Sequence, residues 1–234
     1  MSEPLRLAVF DLDGTLVDSR ANIIRAVEEV ARILKVDCPH VSVIPRVIGL
    51  SLDVALARLF PDVDPDVHKE LEDEYRRTFV KMRTLPGYDE PLFAGAAAVL
   101  TQLVSEGFLL GIATGKARRG VNHVLDRHGL HDHFVTIQTV DTCQGKPHPD
   151  MVLKAMAETG TDPVNTVMIG DTTFDIEMAR AAKARALGVA WGNHPVAELA
   201  AAGAHRVVDR VDDLAHAIHA LTRGADRHVA ALRH

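Results

Sequence analysis

The stretch LRLAVFDLDGTLVDS (residues 5–19) decides how the chain is read. Leu7-Ala8-Val9-Phe10 is apolar at successive rather than alternate positions, the pattern of a strand covered on both faces. The run breaks at once into Asp11, Asp13 and Gly14. Two carboxylates one residue apart repel, and each raises the pKa of the other. Such a turn costs free energy unless a cation or a proton relieves it, so the rest of the sequence has to supply one or both.

Outward from this point, short apolar runs recur at 108–114 (FLLGIAT), 134–139 (FVTIQT), 165–170 (NTVMIG), 186–191 (ALGVAW) and 205–209 (HRVVD). Helical patterning fills 94–106, 117–128, 149–159, 173–183 and 195–202. Strand alternating with helix predicts an α/β fold: a Rossmann-like core whose parallel sheet is sandwiched by helices, with right-handed crossovers. One interval breaks the rhythm. SRANIIRAVEEVARILKV places Ile23, Ile24, Val27, Val30, Ala31 and Leu34 on one helical stripe. LDVALARLF and HKELEDEYRRTFVKM are helical too, and LPGYDEPLFAG (85–95) returns the chain. This predicts a core of residues 1–16 and 87–234, with an all-helical cap domain, 17–86, inserted after the first strand. Ligands of open α/β sheets bind at the carboxyl ends of the strands, so the insert is placed to act as a lid.

The bulk properties narrow the field. The chain has 234 residues, 47% hydrophobic and 25% charged, enough for a sizeable core. Aromatics are only 4%, so packing rests on Ala, Val, Leu and Ile. A net charge of −6 gives no basic footprint for nucleic acid. No apolar run is long enough for a membrane span, and the start does not read as a signal peptide. Cys38 and Cys143 fit no disulfide or zinc pattern, and read as ordinary thiols of a cytoplasmic protein. A monomer and a homodimer are equally compatible with the sequence.

The residues just after the predicted strands form one pool: Asp11 and Asp13; Thr114, Gly115 and Lys116; Gly145, Lys146 and Pro147; Asp171 and Asp175. Several carboxylates around one point make a hard-oxygen site suited to Mg²⁺. Mg²⁺ would relieve the repulsion of Asp11, Asp13 and Asp171 and hold their pKa values down. A carboxylate kept ionised beside it can act as a nucleophile. Its electrophile should be an anion, and the Thr114 hydroxyl, the Gly115 N–H at a helix start and the Lys146 ammonium are suitable donors for phosphate oxygens.

DLDGT, the Thr after the second core strand, GKPHPD and GDTTFD resemble the four motifs of the haloacid dehalogenase superfamily, in its phosphatase branch. The resemblance covers the whole chain, with the motifs in order and DLDGTL the most specific. It implies a nucleophilic role for Asp11. It makes Asp13 the acid that protonates the leaving oxygen and then the base that activates water, its backbone carbonyl reaching the metal. Thr114 and Lys146 become phosphate clamps, Lys146 also pairing with Asp11, and Asp171 completes the Mg²⁺ site. Asp175 falls outside the direct ligands or is itself one. Asp13 argues against the dehalogenase and phosphonatase branches. A β-phosphoglucomutase-like phosphomutase stays harder to exclude, although Leu52 stands after Gly49-Leu50-Ser51 where that branch has an arginine. IGLSL, ATGKARRG and VAWGNHP look most like phosphoglycolate phosphatase-type hydrolases, with nucleotidases and pyrophosphatases as relatives of that look. The implied partner is a small phosphorylated metabolite, with 2-phosphoglycolate the first guess.

Four further features get weaker readings. Gly49 and Ser51 lie in a cap turn that could read the substrate, though helix-breaking alone also explains Gly49. Lys116, Arg118 and Arg119 could touch a substrate carboxylate, but a solvated helix face is the preferred reading. The loop Trp191-Gly192-Asn193-His194-Pro195 receives no catalytic role. His216 and His219 share a helix face, and with His228 and His234 they form no patterned metal site.

Overall fold

The computed structural model describes residues 4–231, with side chains described for all of these except 65 and 223–231. Six strands form one fully parallel sheet in the order β3-β2-β1-β4-β5-β6. They are β1 (Arg6–Phe10), β2 (Phe108–Thr114), β3 (Thr136–Thr139), β4 (Thr166–Gly170), β5 (Arg185–Val189) and β6 (Arg206–Val208). Every predicted strand is present, with ends trimmed or shifted by one or two residues. Trp191 leaves the predicted run 186–191, because its indole N–H turns to donate to Thr15 O. Its ring also lies 6.2 Å from that of Phe93.

β1 is central, and the reason is visible in its sequence. Leu7 and Val9 pack on one face with Met151, Val152 and Ala155 of α6 (Asp150–Thr159) and Ile176, Met178 and Ala179 of α7 (Thr173–Ala181). Ala8 and Phe10 pack on the other with α4 (Ala96–Ser105), α5 (Arg118–His128) and α9 (Leu214–Ala231). A strand covered on both faces has no polar side to show, which is why the apolar run is continuous. α8 (Val196–Ala201) packs beside β5 and β6.

The remaining helices, α1 (Arg20–Leu34), α2 (Leu52–Leu59) and α3 (Pro65–Met82), lie between β1 and α4. Val27, Val30 and Ala31 of α1, Leu56 and Leu59 of α2, and Leu71 of α3 form an apolar cluster apart from the two that cover the sheet. Phe174 of α7 joins it from the sheet side.

Chain order fixes where a site can form. The chain steps from β1 outward to β2 and β3, then returns to the other side of β1 for β4, β5 and β6. The loops leaving β1 and β4 therefore diverge, opening a crevice at the carboxyl edge. Asp11 continues the β1 ladder by donating its N–H to Ile169 O at 2.9 Å, so it stands beside the exit of β4.

The α9 helix lies beyond the predicted segments. His216 on it is exposed, and His219 bonds Glu106 and Arg6 while its ring stacks edge-on against Phe108. His219 therefore ties α9 to the sheet. His234 and the side chain of His228 lie outside the described residues.

Leu110, fully buried in β2 under α4 and α5, tests this core. Leu110→Ala should lower unfolding stability by ~2–5 kcal/mol in urea titration; a loss well under 1 kcal/mol would contradict the packing described.

Candidate active site

Three loops bring four charged side chains together. Asp11 leaves β1, Lys146 lies in the loop before α6, and Asp171 and Asp175 flank the start of α7. Lys146 Nζ lies 2.7 Å from Asp11 Oδ1 and 2.6 Å from Asp175 Oδ1, with all three side chains sealed from solvent. Carboxylate oxygens of Asp11, Asp171 and Asp175 lie within 4.8 Å of one another.

Asp175 owes its position to helix capping. Thr172 is the N-cap of α7, and Asp175 sits three residues on in a capping box. Asp175 Oδ2 accepts from Thr172 N at 3.1 Å and Thr172 Oγ1 at 2.7 Å. Its other oxygen faces Lys146, so both are engaged.

Asp171 is held by residues that sequence reasoning left without a role. Thr15 Oγ1 donates to its Oδ1 at 2.9 Å. Asn193 donates to Oδ2 twice, from its backbone N at 2.8 Å and from Nδ2 at 2.9 Å. Arg20, at the start of α1, donates to Asn193 Oδ1 at 2.9 Å and fixes the amide. Gly14, at φ +87°, makes the enclosure possible: a Cβ there would lie 2.3 Å from Asp171 Oδ2. Thr15 and Gly14 could have been suspected from their place in DLDGT. No local pattern marks Asn193.

Burial dominates the electrostatics of this cluster. The Asp11 carboxyl is pushed up to about 8, first by burial, with Asp175 and Asp171 adding to the rise and Lys146 opposing it. Asp171 is raised to about 6, again chiefly by burial and then by Asp175, with Asn193 and Thr15 holding it back. Burial alone would lower Lys146, but Asp11 and Asp175 more than offset it, and its pKa is raised. The donors fit a hard cation: all are carboxylate oxygens, and Asp11 Oδ2 is buried without a hydrogen-bond partner.

Beside this buried layer lies a cavity of about 750 Å³, lined by Asp13, Ser51, Tyr75, Arg83, Thr114 and Lys116 among others. The second aspartate of DLDGT thus separates from the first. Asp11 points into the cluster, whereas Asp13 Oδ1 lies 3.2 Å from Lys116 Nζ. Lys116 is not on a solvated helix face. Its side chain is only 12% exposed, and it lies 3.5 Å from the fully buried Glu90 as well. Burial would lower its pKa, but Asp13 and Glu90 outweigh that and raise it. Gly115 is not at a helix start either. α5 begins at Arg118 with Ala117 as its N-cap, leaving Gly115 in the loop.

Gly49 and Ser51 do reach this region. A Cβ on Gly115 would lie 2.6 Å from Gly49 O and 2.4 Å from Leu50 O. A Cβ on Gly145 would lie 3.4 Å from Ser51 Oγ. The turn before α2 is thus pressed onto the loops that carry Thr114 and Lys146.

Comparison with known proteins agrees with this geometry. The model of the haloacid dehalogenase-like hydrolases matches residues 8–189. The chain belongs to that family. It is 34% identical over 220 residues to a probable phosphatase, IndB, of Dickeya dadantii, covering 93% of this chain and 95% of the relative. It is 28% identical to a phosphoglycolate phosphatase of Photobacterium profundum, covering 91% and 95%. A crystal structure of a hydrolase from Pseudomonas syringae superposes with a TM-score of 0.80 at 28% identity, covering 90% of this chain and 97% of that one. The matched span runs from β1 to the end of β5.

The raised carboxyls set a sign for stability against pH. Asp11 and Asp171 hold protons more tightly folded than unfolded, so their contribution is full below about pH 4 and is lost as pH rises through about 6 and about 8. Without metal, the Tm of the wild type should fall over that window, and Asp11→Asn should flatten the fall. Equal slopes for the two proteins in scanning calorimetry would contradict this.

Proposed function

We propose that this hydrolase is a Mg²⁺-dependent phosphatase that hydrolyses a small phosphomonoester through an aspartyl-phosphate on Asp11, with 2-phosphoglycolate as the first candidate. The observation that carries the reading is the Asp11 carboxylate: one oxygen is ion-paired with Lys146 and the other is buried without a hydrogen-bond partner beside Asp171.

Asp11, Asp171 and the backbone carbonyl of Asp13 would hold the Mg²⁺. Once bound, the ion supplies charge neutralisation for the phosphoryl oxygens and for the crowded carboxylates. Asp175, with both oxygens engaged, positions Lys146 instead of ligating. Lys146 and Thr114 bind phosphoryl oxygens and orient phosphorus toward Asp11. The Asp11 carboxylate attacks phosphorus while Asp13 delivers its proton to the leaving oxygen. Asp13 then takes a proton from the water that attacks the aspartyl-phosphate, releasing phosphate and restoring Asp11. Acid–base help of this kind is worth ~10²–10⁴-fold, and covalent relay divides one hard step into two.

Residues 17–86 serve as a cap on the core formed by 1–16 and 87–234. Asp11 is sealed from solvent, and the turn carrying Gly49 and Ser51 lies on the Thr114 loop. Substrate entry therefore requires the cap to move away, and closure then excludes water. A closing cap favours small metabolites over phosphoproteins.

The test is phosphate release from a panel of 2-phosphoglycolate, sugar phosphates, nucleoside monophosphates and pyrophosphate. Mg²⁺-dependent release that Asp11→Asn abolishes supports the reading. Isomerisation of a sugar phosphate without net release would replace it with a phosphomutase. Asn193→Ala should weaken Mg²⁺ binding ~10–100-fold, because Asp171 loses the side-chain Nδ2 donor that helps to orient it. Isothermal titration calorimetry reads this directly, and unchanged affinity would contradict the role of Asn193.

A further inference from the structure

The contacts of Lys116 are unusual for a residue that does nothing but fold the chain. Its ammonium lies among Asp13, Glu90 and the ring of Phe79, whose centroid is 5.4 Å away. Glu90 comes from the segment that returns the chain from α3 to the core, and its side chain is completely buried. It accepts from Tyr88 Oη at 3.1 Å and lies 3.5 Å from Arg83, the C-cap of α3. Its Oε1 has no hydrogen-bond partner. The stem of Lys116 runs where only a glycine leaves room, since a Cβ on Gly120 would lie 2.7 Å from Lys116 Cγ. Enclosing two cations and two carboxylates here, with Glu90 fully buried and the others nearly so, is costly. Apolar residues of similar volume would hold the fold as well or better. A buried charged cluster on a cavity wall beside a reacting group points to ligand recognition.

Resting on the phosphatase reading above, we propose that Lys116, held in place by Glu90 with Arg83 behind it, is the specificity-determining residue for a second anionic group on the substrate, one or two carbons from the ester oxygen. The geometry leads there directly. Asp13 must reach the leaving oxygen by a hydrogen bond, and Lys116 Nζ is 3.2 Å from Asp13 Oδ1. Where Oδ1 is the oxygen that makes that bond, Lys116 stands no more than ~6 Å from the leaving oxygen, one hydrogen-bond length further. A carboxylate on the carbon next to the ester oxygen falls inside that span. A lysine ammonium has three N–H donors, and only two carboxylates are ion-paired with it, at 3.2 and 3.5 Å. The third is available to a ligand in the cavity that Lys116 lines. Arg83 lines the same cavity from α3, so an anion there would be met from both the cap and the core. Esters with a neutral tail leave this donor unmatched in a buried setting, and mismatches of that kind are strongly selected against.

The test compares kcat/KM for 2-phosphoglycolate with that for ethyl phosphate, which keeps the ester and lacks the carboxylate. The wild type should prefer the carboxylate ester by ~30-fold or more. Lys116→Met should cut that ratio at least ~10-fold, and Lys116→Arg should restore part of it. A wild type with no preference between the two esters overturns the proposal without any variant. So does a Lys116→Met enzyme that loses activity equally on both, since Lys116 would then only position Asp13. Turnover of neither ester, with good turnover of another phosphoester, also overturns it while leaving the phosphatase reading intact. Turnover of no phosphoester at all removes both.

Discussion

Lys146 Nζ, held between Asp11 and Asp175, is the contact on which the rest of the site depends. A buried carboxylate without a partner tends to take up a proton and lose its charge. Lys146 opposes that, and Asp175 fixes Lys146 from the opposite side at 2.6 Å. Asp175 is in turn fixed by the first turn of α7 through Thr172. The Asp11 carboxylate is thus braced by a helix cap, and the bracing reaches from β4 across the crevice to β1. One oxygen of Asp11 is spoken for; the other has no hydrogen-bond partner. Metal-free, the arrangement is charge-frustrated, and burial raises the carboxyls accordingly. A divalent cation would resolve that frustration.

The site has two layers with different tasks. The inner layer, Asp11, Lys146, Asp171 and Asp175, is sealed from solvent. The outer layer, with Asp13, Thr114, Lys116 and the turn at Gly49–Ser51, borders the cavity. Between them, contacts run from the α1–α3 segment to the core. Arg20 reaches Asn193 and Gly192 O, Arg46 pairs with Glu198, and Arg83 meets Glu90. Arg20 touches the residue that orients Asp171, and Arg83 touches the residue that holds Lys116. Displacing the helices would alter both layers together, which gives a lid a physical route to the chemistry without any long-range wire.

Much of this was legible in the sequence because it depends on local patterning. Continuous apolar runs announced strands buried on both faces, and the turn residues after them announced the carboxyl edge. Asp11, Lys146 and Asp171 come together because the sheet order brings their loops together; strand alternating with helix announces a parallel sheet but leaves that order open. Lys116 was misjudged because its neighbours Arg118 and Arg119 suggest an exposed helix face. Its burial comes from Glu90 and Phe79, which are remote in the chain. Asn193 was missed for the same reason. Its two bonds to Asp171 are made by a loop after β5, where spacing carries no signal. The polar run after β2 reads as a helix starting at Gly115, because nothing in it reveals that the first turn waits until Arg118.

The central claim is that Asp11 receives the phosphoryl group. The most direct measurement is a rapid acid quench of the wild-type enzyme during turnover with Mg²⁺ and its best substrate, followed by digestion and mass spectrometry of the peptide holding Asp11. The account predicts a phosphoryl adduct on Asp11 that hydroxylamine removes, since an acyl phosphate is cleaved by that nucleophile. Turnover with the adduct on another residue would contradict it.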